Sequence, residues 1–458
     1  MFFKQFVLIL VLILFATFNL PPKAIAAEQP TAIFHAFNQK YNDVEKFVCT
    51  LAEQGYSHIQ ISPAQKSNSG NEWWKRYQPF DYSVIEGLGS ESDLKKLTDK
   101  AHSCNVQVIA DVVFNHMANL DGNDGIEDIS KFPNLSPSDF NTKSTRNPID
   151  KPCNINYNDG NRITEVNCWL GGLPDLKFTD NVKTIQKAHL KKLLDLGIDG
   201  FRFDAAKHMP TEVVKEYIDY IDRESQGKTW NYLEVIEDSD TKAEDYNWIA
   251  AVEDFVLYNS MKNAFTFGGD LRSLPAIDIN DQRSVTFGRN HDTIRELNAQ
   301  AINPFNDATD SYLATAYILA RQDGTPLIFN DDNLNSPYIN FGVKFRQIMI
   351  QRGEEGRNVK ENILKVTNSP TVLIMERGAE GLFVENKGMA KFDIPVLDLT
   401  LSNLEGCYRE LRNNFTVVVE NRNGKKYITK WGTWDRGGMN VVGRDALYFI
   451  REPFTLCQ

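Results

Sequence analysis

The chain has 458 residues, a formal net charge of −11, and 42% hydrophobic and 24% charged residues. That length exceeds one ordinary hydrophobic core, so one large domain with smaller attachments is expected. An acidic chain without a basic cluster to neutralise phosphates argues against nucleic acid or an anionic membrane as partner and leaves neutral or cationic ligands open.

The first residues are Met1-Phe2-Phe3-Lys4, followed by an uncharged apolar run from Phe6 to Phe18 and by Ala24-Ile25-Ala26. A lysine, an apolar run too short to span a bilayer comfortably and a small-residue site make a secretory signal peptide, expected over 1–26 with cleavage after Ala26. An uncleaved anchor is the alternative, and it leaves the small-residue site without a purpose. No second stretch is apolar enough to cross a membrane, so a secreted or periplasmic protein is expected. In an exported chain six cysteines read as disulfides, and their positions fall into the pairs Cys49–Cys104, Cys153–Cys168 and Cys407–Cys457. None belongs to a CxxC and no histidine cluster accompanies them, which argues against zinc.

From residue 31 onward, runs rich in β-branched residues alternate with helical stretches, the pattern of βα units around a parallel sheet. Strands are predicted at 31–37, 56–61, 106–113, 200–204, 232–236, 252–256, 284–288 and 326–330, and helices at 44–54, 93–103, 183–196, 211–224 and 310–321. Eight such strands fit a (β/α)8 barrel. Between 117 and 176, Gly, Asn, Pro and Asp are plentiful and periodicity is weak, too long for a plain loop and therefore read as a small inserted domain after the third strand. From about 363 the texture turns to strands without helices, at 371–376, 416–419 and 446–450, as in a C-terminal all-β, Greek-key-like sandwich. The expected organisation is thus a barrel over 27–116 and 177–362, an inserted domain over 117–176 and a β domain over 363–458.

Reactive groups in such barrels sit at the carboxyl ends of the strands. The third strand runs out through Asp111-Val112-Val113-Phe114-Asn115-His116 and the fourth through Gly200-Phe201-Arg202-Phe203-Asp204-Ala205-Ala206-Lys207-His208. The fifth ends in Leu233-Glu234-Val235-Ile236 and the seventh is followed by Asn290-His291-Asp292. Asp204, Glu234 and Asp292 therefore converge from three strand ends. A lone Asp there would be a structural acid. Three, each flanked by Arg, Lys or His, are costly to gather unless they serve a function.

These four segments resemble the four short regions that mark the α-amylase family of glycoside hydrolases. Asn71-Glu72-Trp73-Trp74-Lys75-Arg76-Tyr77-Gln78-Pro79 resembles that family's aromatic sugar-binding stretch, and Cys168-Trp169-Leu170-Gly171-Gly172-Leu173-Pro174-Asp175-Leu176 resembles a segment of its inserted domain. The resemblance implies a secreted, monomeric, endo-acting enzyme that cuts internal α-1,4-glucosidic bonds of starch, glycogen or malto-oligosaccharides with retention. Asp204 would be the nucleophile, Glu234 the general acid and base, and Asp292 the acid that holds the distorted sugar. Retaining hydrolysis needs two carboxyl groups about 5 to 5.5 Å apart, one ionised and one protonated. Arg202, two residues before Asp204 and on the same side of the strand, would hold the nucleophile ionised, though a plain interior ion pair would look alike.

The same resemblance assigns substrate contacts to His116, His291, Lys207 and His208, and stacking and polar contacts to Trp74, Tyr77 and Gln78. Outside it, a lone His is more often structural, an aromatic pair is more often core and Lys207 is more often solvated. Calcium would be held by the side chains of Asn115 and Asp175 and the main-chain carbonyls of Val166 and His208, clamping insertion to barrel. Without the family, Asn115 and Asp175 are ordinary turn residues. Some relatives bind chloride through equivalents of Arg202 and Asn290 and an Arg near strand eight. The stretch Gly324-Thr325-Pro326-Leu327-Ile328-Phe329-Asn330 has no basic residue, so chloride is not expected. Arg289 departs from the family's acidic or small residue and would either alter a subsite or pair with a neighbouring acid. Two alternatives stand beside hydrolysis. A 4-α-glucan transferase, such as a cyclodextrin-forming enzyme, commonly carries domains beyond the β domain, whereas this chain stops at Gln458. A non-catalytic starch-binding homologue typically loses an acid or keeps an anchor.

Overall fold

Eight short parallel strands close into a barrel in the computed structural model, which describes residues 28–120, 129–141, 155–158, 160, 162–274, 283–293, 308–364, 369–393, 402–430 and 440–457. The expected signal segment and Cys153 lie outside the described residues. The barrel strands are β1 (Ile33–Ala36), β2 (His58–Ile61), β3 (Gln107–Val113), β4 (Gly200–Asp204), β5 (Tyr232–Leu233), β6 (Ala251–Glu253), β7 (Ser284–Thr286) and β8 (Thr325–Phe329). Closure is made by β8 against β1, with Ile33 opposite Leu327 and His35 opposite Phe329. All eight fall where sequence periodicity sets them, most of them shorter, because residues such as Glu234 and Gly288 already belong to the loops above the barrel.

Helices α1 (Tyr41–Gln54), α2 (Glu91–Ser103), α3 (Asp180–Asp195), α4 (Thr211–Ser225), α5 (Phe255–Phe265), α6 (Ala308–Ala320), α7 (Asn330–Asn335) and α8 (Pro337–Glu354) surround the strands. Local chemistry sets their ends. Ser90 and Asp93 form a capping box at α2, and Gly55, at φ 102°, ends α1 in the left-handed conformation open to glycine. The expected strand 252–256 is cut short because Asp254 accepts the Leu257 N–H as an N-cap, so α5 starts at Phe255. Helix α8 escaped the sequence reading because it has no single apolar stripe. It packs on α6 and on the C-terminal sheet at once, with Phe345 against Tyr448 at a ring separation of 5.4 Å.

The C-terminal part is a seven-stranded antiparallel sheet with spatial order Glu361–Ile363, Val372–Arg377, Gly381–Asn386, Asp445–Glu452, Gly406–Glu410, Thr416–Arg422, Lys425–Lys430. Alternate residues go to different cores. Leu373, Met375, Phe383, Ala446 and Tyr448 join the barrel's core, whereas Ile374, Leu382, Val384, Leu447 and Phe449 form a separate one. A ribbon of Phe392–Asp393 and Asn440–Val441 contributes Val441 and Phe392 to that second core. Burial on both faces explains runs as continuously apolar as Leu-Ile-Met and Ala-Leu-Tyr-Phe-Ile.

Cys49 of α1 is bonded to Cys104 at the end of α2, and Cys407 to Cys457. Cys168 is also disulfide-bonded, its expected partner Cys153 lying outside the described residues. Between β3 and α3, Phe132, Phe140 and Trp169 pack into the barrel's core, a bridge between His116 and Asp175 pins the chain just above β3, and a second joins Phe140 to Leu176 within the segment. Among the described residues no helix is long and apolar enough to cross a membrane.

Candidate active site

The barrel interior is polar at its upper end. Asp111 on β3 and Arg202 on β4 are register partners, and so are Val113 and Asp204, so Arg202 and Asp204 both project inward. The guanidinium of Arg202, 0% exposed, is met by four carboxylates. Its Nη1 donates to both oxygens of Asp111 at 3.0 Å and to Asp204 Oδ1 at 2.9 Å, and its Nε donates to Glu253 Oε1 at 2.9 Å. Nη2 lies 2.8 Å from Glu234 Oε1, a close ion contact out of hydrogen-bond alignment.

Ala205, directly after Asp204, takes φ 50°, an uncommon conformation for a residue with a Cβ. That turn aims its N–H at Glu234 Oε2, 2.7 Å away. Asp292 follows β7 in a turn built by Asn290, whose Oδ1 accepts the N–H groups of Asp292 (3.1 Å) and Thr293 (3.0 Å). Asp292 and Glu234 both line the cleft, and the charge of Glu234 helps to raise the Asp292 carboxyl. The three carboxylates named from the sequence thus stand together, two of them on one guanidinium.

Burial and the charge of Glu234 push the Asp204 carboxyl well above its usual range, with Arg202 opposing. Asp292 is also raised, by removal from water and by Glu234, although 38% of its side chain faces the open cleft. Burial raises Asp111 to about 6 and Glu253 to about 7, in both cases against Arg202. Gathering so many acids around one cation disfavours their full ionisation.

Above this floor opens a cleft of about 590 Å³ whose walls include Trp73, Trp74, Tyr77, Gln78, Tyr157 and Lys207. Trp74 is 41% exposed, a free aromatic face. Tyr77 also supports the floor, since its hydroxyl donates to Asp111 Oδ2 at 3.0 Å and its ring stacks on His291 with centroids 5.0 Å apart. His291 is held between that ring and Phe37, at 4.8 Å. His116 and His208 are buried and lowered to about 4, so both are neutral, paired through ring nitrogens to the carbonyls of Tyr77 and Glu165. Lys207 donates to the Ile236 carbonyl at 2.8 Å, pairs with Asp238 and lies 4.5 Å from the Tyr157 ring centre. Gln78 accepts from Asn68 at 2.8 Å. Every substrate residue named from the sequence lines this cleft except Arg202, which lies beneath it.

Asn115 and Asp175 stand side by side below the insertion. Asn115 Oδ1 and Asp175 Oδ1 are buried and lack a hydrogen-bond partner among the described residues, while Asp175 Oδ2 accepts from Asn141 at 2.8 Å. Two orphaned hard oxygens, one anionic, fit a divalent cation that prefers oxygen ligands. The His208 ring, bonded to the Glu165 carbonyl at 3.1 Å, ties these two parts of the chain to each other. No group of three or more His, Cys, Asp or Glu that could hold a metal occurs among the described residues.

Arg289 does not enter the cleft. Its Nε donates to the fully buried Asp332 and its guanidinium lies over the rings of Tyr312 and Phe329, so of the two expected roles the ion pair is the one observed. Sequence reasoning missed Asp111 and Glu253. Each is a single acid inside or at the end of an otherwise apolar strand, and that anomaly was the available signal. Trp73 and Tyr157 were also missed as wall residues.

Residues 50–277 match the family model described as "Alpha amylase, catalytic domain". The chain is 29% identical over 406 residues to the α-amylase of Aeromonas hydrophila, covering 78% of this chain and 84% of that protein. In fold it is similar to the wild-type α-amylase I of Eisenia fetida, with a TM-score of 0.74 at 21% identity over 91% of this chain and 99% of that one. It is similar as well to CldA, described as the first cyclomaltodextrin glucanotransferase with a three-domain ABC distribution, with a TM-score of 0.67 at 19% identity over 93% of this chain and 100% of that one. Likeness at such identities speaks for the fold alone. Its neighbours in fold thus include a transferase as well as an α-amylase, and the fold does not separate transfer from hydrolysis.

Proposed function

Since this chain belongs to the α-amylase family of glycoside hydrolases, we propose that it is a secreted endo-acting α-amylase that hydrolyses internal α-1,4-glucosidic bonds of starch, glycogen and malto-oligosaccharides with retention. The observation that carries this reading is the single guanidinium of Arg202 contacting both Asp204 and Glu234, with Asp292 lining the same aromatic cleft above it. The α-amylase I of Eisenia fetida has also been solved with maltohexaose, a ligand of the class proposed here.

In the first step Asp204 attacks the anomeric carbon as the glycosidic C–O bond breaks and Glu234 gives its proton to the departing oxygen. The sugar is left as an ester on Asp204. In the second step Glu234 takes a proton from water, the water oxygen bonds to the anomeric carbon, and the Asp204 carboxylate is released. With Glu234 protonated, its like charge no longer raises Asp204, and Arg202 opposes the effect of burial. Asp292 and the imidazoles of His116 and His291 bind the hydroxyls of the sugar being attacked, Trp74 and Tyr77 carry ring faces, Gln78 adds a polar contact, and Lys207 and His208 serve the leaving-group side.

Asn115 and Asp175, with the carbonyls of Val166 and His208, would hold Ca²⁺, which when bound supplies an oxygen-liganded cross-link between insertion and barrel. Chloride is not required for these steps. The working division is barrel over 27–116 and 177–362, insertion over 117–176 and β domain over 363–458, acting as a monomer after export. A maltoheptaoside blocked at its non-reducing end tests the activity. Internal hydrolysis products are expected, cyclic or elongated products would mean transfer, and no reaction would mean a binding protein.

A further inference from the structure

One carboxylate on the barrel floor has no part in that reaction. Glu253 ends β6, is 2% exposed, and turns its two oxygens to two different parts of the site. Oε1 accepts from Arg202 Nε at 2.9 Å and Oε2 accepts from Asn290 Nδ2 at 3.3 Å. Beyond Arg202 stand Asp204 and Glu234. Beyond Asn290 stands the turn that carries Asp292.

We propose that Glu253 is a positioning residue, a double acceptor that joins Arg202 to Asn290 and so fixes Asp204 and Glu234 relative to Asp292. The proposal rests on the reading of those three as the reacting set. Two features of the contact require a carboxylate. Arg202 Nε and Asn290 Nδ2 are both donors, so only a group that accepts on both sides satisfies them. A Gln would turn a donor toward one of them, and an apolar residue would leave both buried and unpaired. The donation to Glu253 also sets which way the Asn290 amide points. With Nδ2 toward Glu253, Oδ1 must face the N–H groups of Asp292 and Thr293. On the other side, Asp111 at Nη1 and Glu253 at Nε hold the planar guanidinium from two directions, which prevents it from pivoting as its other contacts change in the reaction.

The test uses the full chain with Glu253→Ala and Glu253→Gln, assayed on the blocked maltoheptaoside with sodium formate titrated at constant ionic strength, and with melting curves to establish folding. Glu253→Ala is expected to lose about 10²-fold in kcat through misplacement of the reacting groups, with KM within about threefold of wild type because ground-state sugar contacts remain. Formate, a small anion able to accept from both donors, restores kcat saturably in that variant and leaves wild type unchanged. Glu253→Gln keeps the volume but pairs only one side, and its kcat is expected to fall at unchanged KM. That variant decides the matter if Glu253→Ala does not fold. Wild-type kcat in Glu253→Gln, or a loss in folded Glu253→Ala that formate does not touch, would overturn the proposal. Turnover by wild type is measured in the same assay, so failure of the amylase reading itself appears separately, as a wild type without product.

Discussion

Asp111 lies opposite Arg202 on the adjoining barrel strand, and two hydrogen bonds of 3.0 Å join its carboxylate to the guanidinium. The pair is fully buried, so Arg202 is anchored from below before it meets the carboxylates of the cleft. The charge balance of the site depends on this one cation. Replacing it with Met keeps much of the volume and leaves Asp111, Asp204, Glu234 and Glu253 facing each other. Arg202→Met is expected to lower stability by about 3–5 kcal/mol, the range for breaking a buried ion pair from one side. Urea unfolding at pH 7 measures it, and a loss under about 1 kcal/mol would mean that the acids are already neutral without it.

The proposed nucleophile must be ionised, and its carboxyl is raised by burial and by Glu234. A raised value means that acidification protonates Asp204 earlier than it would an exposed Asp. The acid limb of kcat/KM is therefore expected above the ordinary Asp value of about 3.9. A pH–rate profile checks this, and a limb at or below that value would show that Arg202 outweighs burial.

Calcium removal offers a test independent of turnover. If Asn115 and Asp175 hold the ion, a chelator lowers the melting temperature and Ca²⁺ restores it. At 100 times its dissociation constant the ion contributes about 2.7 kcal/mol. Asp175→Ala is expected to melt at one temperature with or without Ca²⁺. A full Ca²⁺ response in that variant would move the ion elsewhere.

Arg289 pairs with Asp332 and is not among the residues that line the cleft. Arg289→Ala leaves Asp332, 0% exposed, with the Thr315 hydroxyl as its remaining partner at 3.1 Å. The expected cost is about 3 kcal/mol or more in stability, with the product pattern on soluble starch unchanged. Melting curves and product chromatography check the two halves, and an altered product pattern at normal stability would contradict the assignment.

The barrel was legible in the sequence because strands buried on both faces, such as 107–113, are unbroken apolar runs, and because turn residues and helix caps punctuate them. Helix α8 was not legible, since it buries residues toward both the barrel and the C-terminal sheet and loses the one-sided periodicity of a surface helix. The three cleft carboxylates proposed to react were legible as strand-end residues with charged neighbours. Their supports were not, because Asp111 and Glu253 acquire meaning only when the closed barrel brings β3, β4 and β6 around one guanidinium. Arg289 shows the converse, an odd residue beside a motif that proved to point away from the cleft.

Turnover of the blocked maltoheptaoside by Asp204→Asn, which keeps the side chain's shape and removes its charge, tests the proposed chemistry most directly. A loss of about 10⁴-fold or more in kcat is expected, with the melting temperature and starch binding close to wild type. Residual turnover within about tenfold of wild type, in a variant that still folds and binds, would show that Asp204 is not the group that attacks the sugar.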